Sequence, residues 1–147
     1  MASFTATITA LAASLSEDTA LQAYCLAEFG RNMTVQAVFR NKAEIGMDEM
    51  PVALITRPRV KKNIYIQAKD QVNSVFVYLV FFKEDANAAA LNMIRLEELV
   101  DDALTKDGTQ GGACTETTPV EAVNDEGRNH PLYAILAEYS VDQRRFP

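Results

Sequence analysis

The sequence predicts an α+β domain: a mostly antiparallel sheet of four to five strands, packed by N-terminal helices and by one long helix before the last strand. Three observations carry that prediction. Apolar residues recur at helical spacing near the start and again over 86–106, whereas the middle and the end of the chain alternate with a period of two. Helices and strands are grouped along the chain, which excludes an alternating α/β arrangement. At 147 residues the chain is near the commonest size for one domain, and we read 1–147 as a single unit with a flexible loop around 107–131.

The first helix lies over 4–15, where Phe4, Ile8, Leu11 and Leu15 fall on one face. A second begins near Ser14 or Ser16. Ser14 and Glu17 fit a capping box, and Asp18 suits the positive end of a helix dipole. It passes Leu21, Cys25 and Phe29 and stops at Gly30, a natural C-terminal cap. From Met33 the period becomes two. Met33, Val35, Ala37 and Phe39 share a side, which predicts a strand ending in the polar Arg40-Asn41-Lys42. PVALIT at 51–56 predicts a second strand, with Pro51 at its opening position. The basic linker RPRVKK then leads into a third alternating stretch, NIYIQAK, with Ile64 and Ile66 on one side.

The strand at 75–82 departs from simple alternation. Val75, Val77, Leu79 and Phe81 fill one face, while Phe76, Tyr78, Val80 and Phe82 fill the other. Such a strand needs cover on both faces. Two covers suggest themselves: the N-terminal helices on one face with helix 86–106 on the other, or a neighbouring subunit. Helix 86–106 starts at Asp85 as N-cap and carries the stripe Ala89, Met93, Leu96, Val100 and Ala103, widened by Leu99 and Leu104. Leu91 and Ile94 lie off that stripe. Residues 107–131 are rich in turn formers and read as mostly loop, with a short strand or turn around 120–123. A last strand, LYAILAEYSV at 132–141, is apolar on both faces through its first half and gives way to the polar tail DQRRFP.

Chemistry is sparse. Neither phosphate-cradling glycine motif is present, and GTQGG at 108–112 follows a helix instead of opening one, the wrong polarity for an anion site. His130 is the sole histidine, precedes a proline and lacks a nucleophile in an elbow setting. With Cys25 and Cys114 it shows no zinc-ligand spacing. The acidic group Glu97, Glu98, Asp101 and Asp102 reads as a solvated helix face. Two widely separated cysteines in a chain read as cytosolic argue for free thiols, not a disulfide. No apolar run reaches the length of a membrane helix, and the N-terminus lacks the basic start of a secretory signal. These absences point to no enzyme, no cofactor and no metal.

The charge pattern is more informative. The net charge of −6 argues against sequence-specific nucleic-acid binding. Against it stands a basic stretch, Arg57, Arg59, Lys61, Lys62 and Lys69, with no acidic residue from 51 to 69. Clustered cations without interleaved aromatics suit docking to an acidic protein surface better than base stacking, and a solvated hairpin is the plainest reading of all.

An N-terminal helical region before the first strand, the proline-led EMPVALIT, the strand VFFKEDAN running into LNMIRLEELVDDAL, and LYAILAEYSV close to the end form one ordered pattern. In this order the chain resembles the tail terminator proteins of long-tailed bacteriophages. The resemblance implies a hexameric ring in the virion, assembled in the host cytoplasm, at the head-proximal end of the tail. Such a ring caps the tail tube, stops its polymerisation and joins it to a head connector or neck protein. Contacts with the tube are then expected from Arg57, Arg59, Lys61 and Lys62, with Arg144 and Arg145 second, and subunit contacts from Phe76, Tyr78, Val80, Leu91 and Ile94. Another neck or head-closure protein of similar size is the alternative. Two readings from other classes are a hydrolase or transferase built around His130, with a pocket near 107–131, and a monomeric adaptor that binds a peptide along a sheet edge.

Overall fold

The computed structural model describes residues 3–38, 40–41, 44–64 and 69–145; at Asn63, Ile64, Lys69, Arg144 and Arg145 it describes the backbone alone. The elements are α1 (Phe4–Ser16), α2 (Thr19–Phe29), β1 (Thr34–Gln36), a short 3₁₀ turn (Met47–Glu49), β2 (Val52–Ile64), β3 (Lys69–Phe82), α3 (Ala86–Thr105), β4 (Glu116–Asn124) and β5 (Leu132–Arg145). The strands form one sheet in the order β1-β2-β3-β5-β4. The β1–β2 pair is parallel and the other three pairs are antiparallel. This is the expected α+β class with a mostly antiparallel sheet.

Helix boundaries follow local chemistry. Asp85 caps α3 by accepting hydrogen bonds from the amides of Asn87, at 2.9 Å, and Ala88, at 3.2 Å. Gly30 ends α2 with a φ of 79°, a left-handed position that costs glycine little. The start of α2 is one correction. Neither Ser14 nor Ser16 opens it, because α1 runs through Ser16, and Asp18 is the cap, accepting from the Leu21 amide at 2.9 Å. Ser14 instead turns its hydroxyl onto Gln110 and onto the Ala10 carbonyl.

All three helices lie on one face of the sheet. Leu11 and Leu15 of α1, Leu21 and Cys25 of α2, and the whole expected stripe of α3 form one core with Val75, Val77, Leu79 and Phe81 of β3 and Tyr133, Ile135, Ala137, Tyr139 and Val141 of β5. Phe29, Phe81 and Tyr133 extend it as a chain of ring contacts, with centroids 5.1 and 5.3 Å apart. Helix 86–106 therefore does not cover the second sheet face, and that monomeric solution is overturned. Part of the second face is closed by the chain itself. Ile45 and Met50, on either side of the 3₁₀ turn, pack on Val52, Leu54, Val80 and Ala134.

Three further strand readings change. The linker RPRVKK and the start of NIYIQAK are not separate pieces: they continue PVALIT as the single strand β2, which pairs with β3 throughout. Tyr65 and Ile66 lie outside the described residues. The loop region contains β4, nine residues paired with β5 over its length. β1 is shorter than the alternation from Met33 implied, and Phe39 lies outside the described residues. The GTQGG glycines belong to a turn organised by Asp107, whose carboxylate accepts from the Thr109 hydroxyl and from the amides of Thr109 and Gly111. Those bonds, led by the Thr109 hydroxyl, lower its pKa.

Candidate interaction surfaces

The basic stretch is a strand, so its side chains divide between two faces. Thr56 pairs with Phe76 and Arg59 with Ser74, so β2 holds one extra residue at a bulge around Pro58. Beyond the bulge Arg59 and Lys61 share the helix-free face with Ser74 and Val72, whereas Lys62 pairs with Gln71 on the other face. Arg57 is occupied within the chain. Its guanidinium lies 4.6 Å from the centroid of the Phe4 ring and donates to the Asn73 side-chain oxygen at 3.2 Å. Asn73 in turn donates to the Val141 carbonyl at 2.9 Å. Arg144 and Arg145 end β5 opposite Asp70 and Lys69; their side chains lie outside the described ones.

The helix-free face runs from apolar to charged along its strands. Near β3's end, Val80 is only 1% exposed beneath Ile45 and Met50, so it reaches no neighbour from there. Tyr78 and Phe82 pack beside it, half-buried. Next along the face come Phe76, half-buried, and the directly opposed pair Val123 and Leu136, which are 58% and 39% exposed. Polar rows follow toward the β2–β3 connection. Leu91 and Ile94, 69% and 59% exposed, sit on the outer side of α3 and face away from this surface. The expected interface residues are thus brought to two opposite sides of the molecule, not one.

The cover over Val80 is held by an ion pair. Arg40 meets Glu49 with both guanidinium nitrogens, at 2.8 and 2.9 Å, and also donates to the Glu44 carbonyl at 3.0 Å. Glu49 accepts a further bond from the Gly46 amide at 2.9 Å. Chiefly through the Arg40 hydrogen bond, the Glu49 carboxyl is held down at about 2.

His130 does lie in a concavity. A cleft of about 380 Å³ is lined by Ala86, Ala90, Met93, Ile94, Asn124, Glu126, Gly127, His130 and Tyr133. Its walls carry no serine, cysteine or lysine, and His130 Nδ1 is hydrogen-bonded to the Tyr133 hydroxyl. The cleft thus offers His130 no aliphatic hydroxyl, thiol or amine to activate. Both thiols are buried, and burial pushes Cys25 up to about 12 and raises Cys114, so neither is an activated nucleophile. Among the described residues no group of three or more His, Cys, Asp or Glu side chains is placed to hold a metal ion. Asp101 is not simply solvated: it accepts from the buried Tyr139 hydroxyl, and burial, with that carboxylate beside it, drives the Tyr139 phenol far above its ordinary value. No described helix is long and apolar enough to cross a membrane.

Both outer strands of the sheet are guarded. β1 covers only Val52, Ala53 and Leu54 of β2, and β2 then carries the Pro58 bulge; β4 carries Pro119 beside a second bulge. Proline and bulges blunt strand addition. This argues against an adaptor that captures a peptide along a sheet edge.

No family model matches the chain, and no curated protein matches it. A solved structure does. A chain from the virion of a native gene transfer agent particle is 13% identical, covers 95% of this chain and 94% of its own length, and superposes with a TM-score of 0.59. The likeness extends over the whole domain and is one of fold.

Proposed function

We propose that the chain is a structural protein of a phage-like virion, without catalytic turnover, acting as a tail terminator. Its copies form a hexameric ring on the head-proximal end of the tail tube, stop tube growth and offer a surface to the head connector or neck protein. The carrying observation is the helix-free sheet face, where Val123 and Leu136 stand exposed beside half-buried Phe76 and Tyr78. Such a face is what a subunit covers with its neighbour, since interfaces of permanent assemblies resemble a core cut in half. The fold shared with a virion chain supports the coarser part of this reading, a structural virion protein. A closed ring needs two unlike surfaces on each subunit, and Leu91 with Ile94, facing the opposite way, remain for a different contact of the assembly. Contact with the tube is assigned to the far end of the β2–β3–β5 extension, where Lys62, Arg144 and Arg145 lie. Arg57, engaged by Phe4 and Asn73, is left out.

The test is to let tail-tube protein of the same virus polymerise with and without this chain, measuring tube length by electron microscopy. Short tubes bearing a terminal ring are expected. Tubes of unchanged length with bare ends overturn the terminator role.

A further inference from the structure

Two strips of charge lie on the helix-free face at opposite sides of the sheet, and among the described residues neither is neutralised by an ion pair. On β2 stand Arg59 and Lys61. On β4 and β5, Glu121 pairs directly with Glu138, and Glu116 directly with Asp142. Like charges placed opposite one another across a strand pair destabilise a sheet unless something compensates them. Among the described residues none of these six side chains makes an ion pair. The register shows why. Lys61 shares its row with Val72, Asp142 and Glu116, so β3 stands between cation and carboxylate, and two strand spacings hold them about 10 Å apart. The register thus keeps Lys61 from reaching Asp142 or Glu116 within one chain.

We propose that the compensating partner is a second copy of this chain: the basic strip of one subunit, Arg59 and Lys61, docks on the acidic strip of the next, Glu116, Glu121, Glu138 and Asp142. The inference rests on the ring proposed above and names the polar part of its seam. Complementarity selects the occupant. Each copy carries both halves, so a head-to-tail contact satisfies one strip on each side and leaves the other for the following subunit. A nucleic acid would meet the acidic strip on the same face and a chain of net charge −6. The exposed Val123–Leu136 pair adjoins the Glu121–Glu138 pair, so docking buries apolar surface next to the charges that fix its register.

A charge swap tests the seam. One variant carries Arg59→Glu and Lys61→Glu; the other carries Glu121→Lys and Glu138→Lys. All four positions are on the surface strips, and Arg59→Gln with Lys61→Gln serves as a milder version of the first should it fold poorly. Mass is followed by light scattering and sedimentation over concentration, at low and moderate salt. Wild type is expected to associate, less so as salt rises, and each variant alone roughly tenfold or more weakly. An equimolar mixture of the two variants should regain association, because each then offers the strip its partner lacks. Variants that associate like wild type, or a mixture that stays monomeric, overturn the seam. So does wild-type protein that remains monomeric to millimolar concentration at low salt. The tube-length assay separates the two proposals: capped tubes with a failed charge swap leave the terminator role standing, and a successful swap with uncapped tubes leaves the seam standing without it.

Discussion

Glu49 decides how much of the helix-free face is apolar surface. Its clamp on Arg40 and Gly46 holds the segment 44–50, whose Ile45 and Met50 lie over Val52, Leu54 and Val80. The carboxyl sits at about 2 in the folded chain against an ordinary 4.5. A depressed carboxyl stabilises the native arrangement fully above its unfolded value and loses that contribution as pH falls toward the folded one. Between about pH 4.5 and 2 the cover should therefore loosen, exposing Val80 and raising binding of an apolar dye. Glu49→Gln should show raised dye binding already at neutral pH and a flatter response over that window. Identical profiles for variant and wild type would mean that Met50 and Ile45 hold the cover by packing alone. None of this was legible in the sequence, because Ile45 and Met50 sit in an irregular segment with no period to betray a buried face. The Arg40–Glu49 pair spans nine positions without a helical or strand spacing to suggest it.

The elements divide by how strongly one period dominates them. In α3 every residue of the expected stripe is buried, because twenty residues at helical spacing admit one reading. That clarity makes its energetics testable. Asp85→Ala removes the acceptor for two free amides and should cost about 1 kcal/mol, with Asp85→Asn recovering most of it. Leu96→Ala, at a side chain wholly within the core, should cost about 2–5 kcal/mol. Both are read as midpoint shifts in urea at unchanged slope. A cap variant as damaging as the core variant would place α3's stability in its first turn. β2, longer than PVALIT alone, and β4, longer than the short strand expected around 120–123, hide their full extent for physical reasons. In β2 the bulge around Pro58 shifts the phase of alternation, and Lys62 interrupts the apolar positions Val60 and Ile64 beyond it. β4 is an outer strand with one buried residue, Thr117, so its turn-like composition outweighed any alternation. The candidate site suffered the same loss: the basic cluster was visible as composition, but its division between two faces depends on a bulge that composition does not reveal.

At the scale of the whole molecule, the helices take one face of the sheet and a seven-residue segment takes part of the other, which leaves a surface that is apolar toward one end of its strands and oppositely charged at its two sides toward the other. Along the chain the acidic residues around 116–142 are scattered over the expected loop, last strand and tail; only the antiparallel register turns them into a strip facing Arg59 and Lys61 across β3. If that surface is a seam, its apolar end and its charged sides contribute differently. Charge sets register and encounter, and responds to salt; apolar burial supplies adhesion that salt does not screen. Val123→Ser with Leu136→Ser removes the exposed apolar pair without touching the core, since both side chains project from β4 and β5 on the helix-free side. Thermal unfolding of the monomer should stay within a few degrees of wild type, because exposed substitutions seldom exceed about 0.5 kcal/mol. Association should weaken at every salt concentration by a similar factor, whereas the charge variants should converge with wild type as salt rises. Sedimentation of the two variant sets across a salt series separates these behaviours. Should the serine variant associate as wild type does, the neighbour covers some other surface, and Leu91 with Ile94 on the outer side of α3 becomes the next pair to replace.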